Sequence, residues 1–398
     1  MWNKIKENGI VLAVIVLSVA AVILFQLFGV KSYSRYSTDS LHYEQGKVVE
    51  VSSENLEYDE ELGLYLGNQI LKVEITGGEQ KGEIIEVSNY LTKTHNVYAQ
   101  NGMKLIINAD TPENAEPYYT VYNYDRNIPI LSCCIILAAA IICIGRGKGV
   151  KAILGLGYSM FIIIYLVIPA VFSGYSPIWM SILCAVLSTA VTLLLLNGQS
   201  KKTYAAIIAT TIGVLFALLL FMLMSWMLHL NGFSSSEAES LILIHESTGL
   251  KIKDLLFAGV LISSLGAIMD VGMSIVSSLY EVQHHNPSIT ARQLFRSGIE
   301  IGKDMIGTMT NTLILAFTGS AFITLLVFIS YQVQFNQLFS SNYMEIAQGV
   351  CGTFGIVLTV PVASAVAAFI LTGKRFLWKT KKQEKHPDKN DEISKIKL

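Results

Sequence analysis

Asp270 is the one ionisable residue in the run LISSLGAIMDVGMSIVSS, which is otherwise built of apolar and small residues. An ionised carboxylate costs about 2.5–3.5 kcal/mol at the centre of a membrane helix, so such a group is protonated, paired or within reach of water. Helical spacing puts Gly266 one turn before it and Ser274, Ser277 and Ser278 one and two turns after it. A Gly–Asp–Ser stripe of this kind marks a helix face turned toward other protein. A second stripe follows in DMIGTMTNTLILAF, where Thr308, Asn311 and Thr312 fall at i, i+3 and i+4. Asn311 can donate to an ionised Asp270 or accept from a protonated one, and Thr308 can do likewise. Asp270, Ser274, Thr308, Asn311 and Thr312 are therefore the candidates for a proton or ion relay. Gly266, Gly272 and Gly307 are the candidates for close helix packing. The competing account is interhelical glue, whose bonds average only about 0.6 kcal/mol in a well-studied case. Access of water decides between the two.

Other chemistry is missing from the sequence. It contains no HExxH, GxSxG or nucleotide-binding loop. Asp304 stands near the start of its apolar stretch, too shallow to pair with Asp270 as a bilayer protease requires. The expectation is no enzyme, no catalytic residues and no cofactor. All five cysteines (Cys133, Cys134, Cys143, Cys184, Cys351) lie in apolar stretches without metal-ligand spacing, where cysteine acts as a small hydrophobe. The net charge of −1 gives no reason to expect a nucleic-acid partner. His245 with Glu246, and His284 with His285, read as solvated loop residues.

The elements that must position Asp270 are membrane spans. Of the 398 residues 52% are hydrophobic and only 15% charged, against roughly 25% charged in a soluble domain. Eight spans are expected, at about 9–30, 128–145, 150–172, 177–196, 203–229, 254–279, 306–330 and 347–372. The first reads as a retained anchor with no small-residue cleavage site after it. Lys4, Lys6, Arg146, Lys148, Lys151, Lys201, Lys202, Arg292, Arg296, Lys303 and the tail from Lys374 fall on one side, whereas 173–176 and 331–345 carry no Lys or Arg. By the positive-inside rule both termini of this multi-pass protein are cytoplasmic and residues 31–127 lie outside. A composition rich in Ile and Lys, with no cysteine in the external segment, is compatible with a bacterial plasma membrane.

Residues 31–127 contain about five short alternating or β-branched runs punctuated by TGGEQKG and QNGMK turn signals. The fold class expected is thus a mainly α membrane protein: an eight-helix bundle with a small extracytoplasmic β-barrel, OB-like or SH3-like, after the first span. Its parts are the first helix (1–30), the β domain (31–127), a seven-helix domain (128–372) and a basic cytoplasmic tail (373–398). Tyr118, Tyr119, Tyr122 and Tyr124, just before the second span, suggest an interfacial aromatic belt. In the loop 231–253, Ser234–Ser236 are expected to cap a short helix with Glu237 and Glu239 in its first turn. Between the sixth and seventh spans, Pro287 and Ser288 are expected to open a helix lying on the cytoplasmic membrane surface. Ala291, Leu294, Phe295, Gly298 and Ile301 form its apolar stripe. Pro169 and Pro361 are expected to kink their helices. The small-residue run GTFGIVLTVPVASAVAAF suits packing within the bundle or against a second copy.

The run LISSLGAIMDVGMSIVSSLYEVQHHNPSITARQLFRSGIEIGKDMIGTMTNTLILAF resembles the signature region of the YibE/F-like membrane proteins. GLYLGNQILKVEITGGEQKGEIIEVSN is similar to the front portion of that family. The resemblance implies a multi-span bacterial membrane protein and brings no activity with it. A fainter similarity is to the core of RND-type transporters and SecD/SecF proteins, which implies proton coupling through an intramembrane Asp. Only Asp270 carries over, because Val271 stands where RND runs often have a second acid, and this chain has two spans more than a SecF-like unit. Two functions follow as expectations. One is a proton- or ion-coupled transporter or membrane machine acting on an unidentified small substrate or ion. The other is a scaffold or accessory subunit whose external barrel recruits a membrane-protein partner. In both the lipid bilayer is the surrounding medium.

Overall fold

The computed structural model describes residues 2–30, 40–77, 80–112, 116–230, 238–330 and 343–373. The chain divides into two compact units, Met1–Ser32 with Lys151–Leu398, and Tyr33–Val150.

Strands β1 (Leu41–Asp59), β2 (Leu64–Ile75), β3 (Ile84–Leu91), β4 (Lys104–Asp110) and β5 (Tyr118–Tyr124) close into a barrel in the order β1-β2-β3-β5-β4. The alternation in KLIINAD turns Leu105, Ile107 and Ala109 inward, and Val48, Leu71, Val73, Val87 and Val121 fill the same interior. One long strand serves two neighbours: the start of β1 pairs with β4 and the rest with β2. Bulges at Val48/Glu50 and Val51/Ser53 supply the bend that closure needs. At Gly46 a Cβ would collide with Val73 Cγ1, so the inward position at the shared corner takes no side chain. Two buried amides hold the segment that follows β3. Asn89 Nδ2 donates to Gln69 Oε1 (2.9 Å) and Val97 O (2.7 Å), and Gln69 Nε2 donates to Ala99 O (3.1 Å). Backbone outside a ladder needs such partners once it is buried.

Among the described residues five helical stretches are long and apolar enough to cross a membrane: Asn127–Phe172, Pro177–Asn197, Lys201–Met227, Ile252–His285 and Ile346–Thr372; Ala13–Phe28 is a shorter apolar helix. In chain order the helices are α1 (Trp2–Phe28), α2 (Asn127–Ile162), α3 (Ile168–Phe172), α4 (Pro177–Asn197), α5 (Lys201–Met227), α6 (Ala238–Thr248), α7 (Ile252–His285), α8 (Ala291–Ser320), α9 (Phe322–Ser330) and α10 (Tyr343–Thr372). Helix α2 breaks at Arg146 (φ 48°, ψ −130°). The chain folds back there so sharply that a Cβ on Gly149 would overlap Ile141 O. The break falls in GRGKG, between the expected second and third spans.

A π turn, Ile163–Val167, precedes Pro169, whose missing N–H cannot continue the regular ladder. Here α1 packs: Tyr158 donates to Ser18 Oγ (2.9 Å) and the Gln26 amide donates to Tyr165 O. Pro361, in contrast, lies inside a helix that runs on to Thr372. Helices α4, α5, α7, α8 and α10 share the main core, centred on Phe221, Leu261, Ile268, Ile275, Leu279 and Leu294.

Two local expectations are corrected. Helix α8 starts at Ala291 rather than at Pro287 and Ser288, capped by Thr290, whose Oγ1 accepts from Gln293 N while Gln293 Oε1 accepts from Thr290 N. It also runs unbroken to Ser320, so the expected surface helix and the first part of the seventh span are one element. Its apolar stripe packs on protein: Leu294 is fully buried, Gly298 abuts Ser364 and Leu279, and Gly302 abuts Val360. Helix α6 occupies part of the loop 231–253, whereas its expected caps Ser234–Ser236, with Glu237, lie outside the described residues. The tail from Lys374 also lies outside them, as do residues 331–342 of the loop without Lys or Arg.

Candidate functional site

Helix α7 has two faces of opposite character. On one side Leu261, Ser264, Ile268, Val271, Gly272, Ile275, Val276 and Leu279 are buried. On the other Gly259, Ser263, Gly266, Asp270, Ser274 and Glu281 are exposed at successive turns. The buried face is a three-helix crossing with α5 and α10. A Cβ on Gly272 would sit 2.9 Å from Thr210 Oγ1 and 3.5 Å from Thr359 Cγ2. One on Gly213 would overlap Thr359 Oγ1, and one on Gly355 would lie 2.8 Å from Ile268 Cδ1. Glycine at these points is what lets the helices approach so closely.

Asp270 stands at the centre of the open face and makes no hydrogen bond or ion pair with any described residue. Ser274 is exposed beside it, while Ser277 and Ser278 are half-buried. Gly266 has no atom within 4 Å of where a Cβ would be. The three glycines expected to pack helices therefore divide: Gly272 packs, whereas Gly266 and Gly307 border open space.

The α8 stripe is exposed as well. Thr308 Oγ1 donates to Met305 O (3.2 Å) and Thr312 Oγ1 to Thr308 O (2.9 Å), so both hydroxyls are spent within their own helix. Asn311 has no partner among the described residues. No hydrogen bond joins the α7 and α8 stripes among those residues. Their relative level follows from two fixed points. Gly298 lies on Leu279, and Leu313 and Ser264 both border Gly352. Running in opposite directions, the helices bring Asp270 level with Gly307 and Thr308, and Gly266 level with Asn311.

Asp304 is exposed near the middle of α8, and the same pairing puts it about one turn from the level of Asp270 rather than at a shallow end of its stretch. No hydrogen bond joins the two carboxylates among the described residues. Among the described residues no three His, Cys, Asp or Glu side chains converge in a metal-binding group. His245 is tied down by Leu250 O, 2.6 Å from Nδ1. His284 stacks on Tyr280 at the end of α7.

Sequence reasoning passed over the buried hydroxyls. Thr210 Oγ1, Ser225 Oγ and Thr189 Oγ1 are enclosed without a hydrogen-bond partner, and the Ser159 and Ser188 hydroxyls bond to each other. Gly213 and Thr210 at i, i+3 on α5, and Gly355 and Thr359 at i, i+4 on α10, carry the signal that could have found the crossing.

On the barrel the four clustered tyrosines separate. Tyr118 and Tyr122 project outward, Tyr119 bonds Gln80 Oε1 (3.2 Å) and Tyr124 donates to Tyr98 O (3.1 Å). Tyr43 packs edge-on to Tyr122, and the Tyr118 hydroxyl donates to that of Tyr90 at 3.2 Å. That bond, with partial burial, pushes the Tyr118 hydroxyl above its ordinary pKa. The exposed tyrosines thus form an aromatic patch spread over β1, β3 and β5.

The family model described as YibE/F-like protein matches residues 133–373. That is more than half of the chain, so the chain belongs to the YibE/F-like family. The matched residues include both stripes and begin after the barrel. No curated protein and no solved structure matches the chain.

Proposed function

We propose that this YibE/F-like chain is a proton- or ion-coupled transporter or membrane machine of the plasma membrane, with Asp270 as the group that loads and releases the ion. The observation that carries the reading is the carboxylate itself, without a partner among the described residues, on the open face of a membrane-length helix whose opposite face is packed. Ionisable groups at such depth are functional by default. Ser274, Thr308, Asn311 and Thr312 would line the route beside it. The fainter similarity to RND and SecD/SecF cores points the same way.

The topology behind this reading has eight crossings with both termini cytoplasmic. The reversal at Arg146 supports counting Asn127–Phe172 as two crossings, and the one-sided distribution of Lys and Arg sets the orientation. The barrel then lies outside the cytoplasm. Its order β1-β2-β3-β5-β4, with β3 and β5 parallel, suits the OB-like alternative. No enzymatic step is part of the proposal.

The second reading, a scaffold that recruits partners through the barrel, is favoured by the exposed Tyr43, Tyr90, Tyr118 and Tyr122. Carboxyl infrared difference spectra of the reconstituted protein separate the two. Transport requires a band that follows bulk pH and vanishes in Asp270→Asn. A carboxyl that stays silent at every pH, in a mutant that folds normally, leaves the scaffold.

A further inference from the structure

We propose that the open stripe of α7 is an interface for a second copy of this chain, crossing near Gly266 and Asp270. The inference stands whether or not Asp270 moves a proton, because it rests on which surfaces a bilayer can cover.

Lipid tails offer no hydrogen bonds, so a polar face that meets them is costly and a bulky apolar one is not. The surfaces that α2, α4 and α5 turn outward carry residues of the second kind: Ile135, Leu137, Trp179, Leu183, Leu215, Leu219 and Trp226 are exposed there. The α7 stripe is of the first kind. Gly259, Ser263, Gly266, Asp270 and Ser274 are all small or polar, all exposed, and spaced at i+3 and i+4. Small residues so spaced allow two helix backbones to approach closely.

Asp270 needs a hydrogen-bonding neighbour at its own depth. The first half of α2 cannot supply one, since its Ser132 hydroxyl is spent on Pro129 O and the rest of 128–145 is apolar, cysteine or glycine. A second copy can. Related by a two-fold axis along the membrane normal, it presents the same level of the bilayer: its own Asp270, with Gly307 and Thr308 beside it and the Asn311 amide one turn away. Gly266 and Gly307, each with no neighbour within 4 Å of a Cβ, lie about that level on adjacent helices. They leave the room a facing helix would fill. The amide of Asn311, which has no partner among the described residues of one copy, is the donor, and the Asp270 carboxyl is the acceptor. The contact is made twice, once in each direction, as a two-fold interface requires.

The test is disulfide trapping in the full chain with its five cysteines replaced by alanine, in membranes and after reconstitution. Single cysteines at Ser263, Gly266 or Ser274 should give covalent dimers on oxidation. Cysteines at Leu183 and Leu219, on surfaces assigned to lipid, should not. Equal trapping at both sets, or none at the stripe, overturns the proposal, as does a stripe cysteine that captures a different protein. The unsubstituted chain gives an independent reading that no folding defect can confuse. Subunit counting in lipid nanodiscs should find two copies, falling to one in Gly266→Trp through association weakened about ten-fold or more. A single copy in the unsubstituted chain also overturns it.

Discussion

Six residues apart on one helix, Gly266 and Gly272 look alike in the sequence and meet opposite surroundings. Gly272 faces a crossing so tight that an added methyl would lie 2.9 Å from Thr210 Oγ1; Gly266 faces nothing within 4 Å. Both belong to stripes of small residues, and small residues serve two purposes in a membrane helix. They let neighbours in the same chain come close, or they leave a surface shaped for something that the single chain does not contain. The closed face is a solved packing problem, and the open face is where function is expected.

The comparison can be broken most forcefully at its closed side. Gly213→Ala would place a methyl on Thr359 Oγ1. It should cost about 1–3 kcal/mol, the range for overpacking a tight core, read as a lower unfolding midpoint in detergent. Adding Thr359→Ala should return much of that loss, since it removes the colliding oxygen. A Gly213→Ala protein as stable as the parent would show that the crossing is looser than the structure has it.

Gly272→Ala should cost less, about 1 kcal/mol at the mild end of the same range, because its methyl would stand 2.9 Å from Thr210 Oγ1 instead of overlapping its neighbour. Thr210→Ala should rescue it and cost little alone, given that the Thr210 hydroxyl is enclosed without a hydrogen-bond partner. Non-additivity in this pair is the sharpest measure of whether the two residues touch.

The smallest effect belongs to the open side. Gly266→Ala, measured on detergent-isolated single copies, should shift stability by no more than about 0.5 kcal/mol, as surface changes do. A large loss there would mean that something within the chain already covers the stripe.

Much of the architecture was legible in the sequence, and the reasons are local. Alternation in KLIINAD and ILKVEI marks strands with one face inward, and Leu105, Ile107, Leu71 and Val73 are indeed buried. The start of α8 stood in the Thr290–Gln293 spacing, although Pro287 and Ser288 drew the expected boundary four residues too early. The unbroken run of α8 was less visible. Its charged early turns resemble an interfacial helix, and only the contacts with Val360 and Ser364, more than fifty residues away in the chain, show that its apolar stripe is claimed by protein. The dispersal of the tyrosines has a similar cause. Tyr118 and Tyr122 point one way from β5 while Tyr119 and Tyr124 find Gln80 and Tyr98, and the bulge beside β5 at Ile106/Ile107 sets that register.

The sequence by itself determined that this chain has membrane-length helices and a small β domain. Apolar length and two- or three-and-a-half-residue periodicity are properties of neighbouring residues, and burial acts on them directly. It also determined that Asp270 shares a helix face with Gly266 and Ser274, for the same reason. Only the tertiary structure decided which face of α7 is closed. That choice depends on Thr210 and Thr359 arriving from α5 and α10 with shapes that fit Gly272, Gly213 and Gly355, and shape complementarity between distant segments leaves no periodic trace in any one of them.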